Sequence, residues 1–80
     1  MKDKQEMDVV NHPEHYNQGK VECIDAIESA TVKKNGLEAV CVGNVIKYLW
    51  RYESKNGLED LFKAQWYLNK LIECVKGDTL

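Results

Sequence analysis

The stretch Leu37-Glu38-Ala39-Val40-Cys41-Val42-Gly43-Asn44-Val45-Ile46-Lys47-Tyr48-Leu49-Trp50-Arg51-Tyr52-Glu53 decides the fold. Its apolar residues recur on nearly every side of a 3.6-residue repeat, the mark of a helix buried on most of its surface. The spacing predicts a helix over 37–53, with Leu37, Cys41, Val42, Val45, Ile46 and Leu49 in the core. The polar exceptions are ordered. At about 100° per residue, Asn44, Lys47 and Arg51 fall within about 60° of one another, and Tyr48 sits at the edge of their stripe. Lys55 continues the stripe if the helix reaches that far.

Two further helices flank this one. Over 22–31, Cys23, Ile24, Ile27 and Ala30 recur at helical spacing, and Glu22 and Asp25 suit a helix N-terminus. A third helix is expected over 58–75. Its apolar face is read as Leu61, Ala64, Leu68, Leu71, Ile72 and Val75, with Leu58 at the edge. Leu61, Leu68 and Ile72 are expected to be buried. The connectors Lys34-Asn35-Gly36 and Lys55-Asn56-Gly57 share one chemistry, and Gly77 reads as a stop. A β-hairpin at Asn35-Gly36 is the alternative, against the helical period of both flanks. Residues 1–10 read as a flexible tail. Asn11-His12-Pro13-Glu14-His15-Tyr16 reads as a loop, because Pro13 holds His12 out of helical geometry. The fold class is thus all-α: a three-helix domain over 11–76, with the histidine-containing loop packed on it.

Composition narrows the function. The 80 residues carry eleven Lys plus Arg against thirteen Asp plus Glu, a formal charge of −2, which disfavours a binder of nucleic acid polymer. No apolar run approaches the roughly 20 residues of a membrane span, and no signal peptide is evident at the N-terminus. A cytoplasmic protein with no membrane partner is expected. Cys23, Cys41 and Cys74 form no CxxC pair and read as reduced, buried thiols. His12 and His15 lack a third ligand, so no metal and no cofactor are expected. A domain this small buries only roughly 60% of its unfolded surface. With Phe62 and Trp66 on the outward side of the third helix, a homo-oligomer is expected through those two residues.

The Asn44-Lys47-Arg51 stripe suits an anion. Arg offers a planar fork for phosphate oxygens, Lys a mobile charge, and Asn both a donor and an acceptor. Tyr48 beside them can stack on a base. The bland alternative is a stripe neutralised by Glu14, Glu53, Glu59 or Asp60. No GxxxxGK[ST] or GxGxxG loop is present, so any bound phosphate is held by side chains and helix ends.

The blocks Asn11-His12-Pro13-Glu14-His15-Tyr16, Gly43-Asn44-Val45-Ile46-Lys47-Tyr48-Leu49-Trp50-Arg51-Tyr52 and Ala64-Gln65-Trp66-Tyr67-Leu68 resemble a family of small bacteriophage and prophage proteins. The family is long of unknown function, and its members commonly carry the label of nucleotide kinase. The resemblance covers about residues 11–73. It implies a phage-type nucleotide-binding protein in an infected or lysogenic bacterial host, and a nucleoside monophosphate kinase without a P-loop. The nucleotide- or phosphate-binding residues it implies are His12, His15, Tyr16, Asn44, Lys47, Tyr48, Arg51, Lys63 and Tyr67. The alternative is a non-catalytic sponge that sequesters a nucleotide immune signal of host anti-phage defence. A purely structural helical oligomer is the third reading.

Overall fold

A computed structural model describes residues 19–79 of the chain. Among them are three α-helices, one short 3-10 turn and no strand: α1 (Cys23–Thr31), α2 (Gly36–Arg51), the turn Tyr52–Ser54 and α3 (Leu58–Thr79). The expected tail and the His12–Tyr16 loop lie outside the described residues.

Local chemistry sets the ends. Asp25 lies in the first turn of α1, where its charge complements the exposed N–H groups. At the other end, the Thr31 hydroxyl donates to the Ile27 carbonyl at 2.7 Å and Lys34 Nζ to the Ala30 carbonyl at 2.7 Å. These donors satisfy carbonyls that the ending helix leaves open. Both Asn-Gly connectors resolve the same way. Gly36 and Gly57 adopt φ of +53° and +57°, the left-handed region that a Cβ disfavours. Gly57 N–H donates to the Tyr52 carbonyl at 2.7 Å, and its own carbonyl accepts from Asp60 N–H at 3.0 Å, so one residue closes α2 and opens α3. Gly77 does not stop α3, as its period suggested. Its φ is not positive, and the helix runs through it to Thr79.

The short connector makes α2 and α3 an antiparallel hairpin, and α2 also packs on α1. Gly43 marks the α1–α2 crossing: a Cβ there would lie 3.3 Å from Ile27 Cγ2. Helix α2 is therefore the central element.

The core is smaller than the periodicity suggested. Cys23, Cys41, Tyr48 and Ala64 are buried, as are Arg51 and Asp60. Val42, Val45, Ile46 and Leu61 are half-buried. Leu37, Leu49, Leu68 and Ile72, expected in the core, are about half exposed, and Val75 shares that exposure. The cause is the rotation of α3. It turns Asp60, Ala64, Leu71 and Cys74 inward, which places Asp60 on Arg51 and Tyr67 on Tyr48. Leaving Arg51 buried and unpaired costs about 3–5 kcal/mol, enough to offset partial exposure of several aliphatic side chains.

Candidate functional site

The site is built around the ring of Tyr48, on the α3-facing side of α2. Lys47 Nζ lies 4.4 Å from the ring centroid, the Arg51 guanidinium carbon 5.0 Å and Lys63 Nζ 5.7 Å. Tyr67 of α3 stacks on Tyr48 at 6.1 Å with an interplanar angle of 23°, and Trp66 meets Tyr67 edge-on at 5.0 Å. Three cations thus gather round one buried ring whose negative face favours them. Helical spacing supplies Lys47 and Arg51 from α2. The antiparallel hairpin brings Lys63 and Tyr67 from α3.

The electrostatics divide these cations. Arg51 is buried and forked onto Asp60, Nε to Oδ2 at 3.2 Å and Nη2 to Oδ1 at 3.3 Å. Asn56 Nδ2 donates to Asp60 Oδ1 at 3.2 Å. Burial raises the pKa of Asp60, but hydrogen bonds from Arg51 and Asn56 outweigh it and hold the carboxyl below its usual range. The hydrogen bond with Glu59, at 3.1 Å, raises the pKa of Lys63. Lys47 has no carboxylate within ion-pair distance among the described residues. The Arg51 fork is occupied by Asp60, the neutralising partner named as an alternative in the sequence.

Of the residues singled out in the sequence, Lys47, Tyr48, Arg51, Lys63 and Tyr67 come together. Asn44 is half-buried on α2, one turn before Tyr48. His12, His15 and Tyr16 lie outside the described residues. Phe62 and Trp66 are exposed at 60% and 59%, and they line a shallow groove with Leu58, Glu59 and Lys63. Sequence reasoning missed Asn56, read only as a turn residue, and Leu58, read as the edge of the core. The available signal for Asn56 was its position four residues before Asp60, one helical turn.

Residues 10–69 match the sequence profile of a family described as proteins of unknown function, DUF3310. The chain belongs to the DUF3310 family. The match includes the whole Tyr48 cluster and all of α1 and α2, with the first half of α3. Comparison with curated proteins and with solved structures finds no match. Among the described residues, no helix is long and apolar enough to cross a membrane.

Proposed function

We propose that this DUF3310 protein binds a nucleotide, with a phosphate oxygen at Lys47 and the aromatic pair Tyr48–Tyr67 beside it. The observation that carries the reading is the convergence of Lys47, Arg51 and Lys63 on the Tyr48 ring at 4.4, 5.0 and 5.7 Å. Glu59 and Asp60 offset two of these charges, which leaves one net positive charge at Lys47. A phosphate supplies the counter-charge, and a planar base offers the rings a flat partner. The histidine loop that the sequence resemblance implies, with His12, His15 and Tyr16, completes the site in this reading.

The division of charges favours holding a nucleotide over transferring its phosphoryl group. Transfer requires cations around the moving group. Here Arg51 and Lys63 are committed to carboxylates, and Lys47 is left. A protein that holds a nucleotide unchanged sequesters it. In the bacteriophage setting implied by the resemblance, the fitting ligand class is a host signalling nucleotide.

The test is a panel of mono-, di-, tri- and cyclic nucleotides in equilibrium dialysis, with bound ligand recovered after denaturation. One class binds and returns unchanged. Lys47→Ala weakens it about tenfold, the worth of one charge-assisted bond, with helicity intact. A phosphorylated product makes the protein a kinase. Failure of every nucleotide to bind the folded protein removes the reading.

A further inference from the structure

We propose that the outer face of α3 docks on the same face of a second copy of this chain, antiparallel, with Phe62 of each protomer against the partner's Trp66. At about 100° per residue, Leu58, Phe62, Trp66, Asn69 and Glu73 share an arc of about 80°, opposite the strip that meets α2. Leu58, Phe62 and Trp66 are exposed at 64%, 60% and 59%, and among the described residues the ring contact made by these three is the edge contact of Trp66 with Tyr67. They line an open groove with Glu59 and Lys63, and a ring from a second copy fills such a groove.

Charge complementarity selects both the occupant and its direction. With Phe62 opposite the partner's Trp66, each residue faces one whose number sums with its own to about 128. Glu59, paired with Lys63 of its own helix, then falls beside the partner's Lys70, which pairs with Glu73 of its own chain, so the contact joins two ion pairs. Glu59 and Lys70 are opposite in sign, and the two-fold axis repeats their meeting. Glu59 and Lys70 lie on the same flank of α3, and antiparallel helices related by a two-fold bring like flanks together. The two helix dipoles also oppose one another. A parallel two-fold pair brings opposite flanks together instead, so Glu59 and Lys70, which share a flank, do not meet there. The contact stands independently of nucleotide binding. It also sets the partner's ring beside Trp66, which touches Tyr67 of the cluster.

Light scattering at tens of micromolar tests the contact. The wild type runs at an even multiple of 9.2 kDa. Trp66→Ala lowers that mass with the helical circular dichroism unchanged. Lys70→Glu shifts the dissociation midpoint at least tenfold, and adding Glu59→Lys to the same chain restores most of it. Residues 59 and 70 are about 16 Å apart along their own helix, so restoration reports a pairing between chains. A monomeric wild type overturns the proposal, as does a double variant no better than Lys70→Glu. So does dissociation by Leu68→Glu with Trp66→Ala still assembled, which moves the contact to the half-exposed Leu68–Ile72 stripe. If Trp66→Ala loses helicity, the charge-reversal pair decides.

Discussion

Arg51 and Asp60 show how one pair governs a small core. Both side chains are buried, and the guanidinium reaches both carboxylate oxygens. Removing one partner strands the other in a low-dielectric site. Asp60→Asn is expected to cost about 3–5 kcal/mol, read as a fall in the urea midpoint. Arg51→Ala is expected to unfold the protein for the same reason, so it is a poor probe of ligand binding. The pH dependence follows from the depressed carboxyl. Because Asp60 ionises more readily in the folded chain than in the unfolded one, its contribution is complete above the unfolded carboxylate pKa, about 3.9. It is lost as pH falls below that value toward the folded one. Thermal midpoints should drop steeply there in the wild type and less steeply in Asp60→Asn. The thiols supply a second check. Cys41 is fully buried, and burial raises its pKa, with Cys74 adding to the rise and Lys70 opposing it. Cys74 is half-buried. A water-soluble disulfide reagent should modify Cys74 first in the folded protein and reach Cys41 only on unfolding.

The helices are punctuated by backbone conformation more than by residue type. Gly57 holds φ of +57° while its N–H and carbonyl bond across the connector. Gly57→Ala is expected to lose about 1–2 kcal/mol, since an added Cβ meets no neighbour and the cost is that of the left-handed backbone. Gly77 provides the converse. It lies inside α3 without positive φ, and an added Cβ meets open space, so Gly77→Ala should gain up to about 1 kcal/mol. Chemical denaturation of the two variants measures both signs. Their contrast explains the misread end of α3. A glycine near the end of an apolar period is a stop only if the chain adopts the left-handed conformation there, and no sequence spacing records that choice. The shared Lys-Asn-Gly connectors were legible because both glycines do adopt it.

At the scale of the whole molecule, α2 touches both other helices and carries Cys41, Tyr48 and Arg51 into the interior. Its amides should exchange with solvent most slowly, and those of α1 faster, which native-state hydrogen exchange resolves residue by residue. The order of elements, their all-α class and the centrality of α2 were legible in the sequence, because an all-round apolar helix has to be enclosed whatever encloses it. The clustering of Lys47, Tyr48 and Arg51 was legible for the same local reason, since helical geometry alone sets residues three and four apart side by side. Lys63 and Tyr67 were named in the sequence, but only the hairpin carries them to Tyr48. The sequence also offered two outcomes for Arg51, an open anion site or a carboxylate partner. Tertiary structure chose Asp60, and that choice rotated α3 until Leu68, Ile72 and Val75 stood half in solvent and Phe62 and Trp66 faced away from α2. Periodicity determines which residues share a face. Which face turns inward is decided by pairing a buried charge across two helices, a contact between residues whose spacing in the chain carries no trace of it.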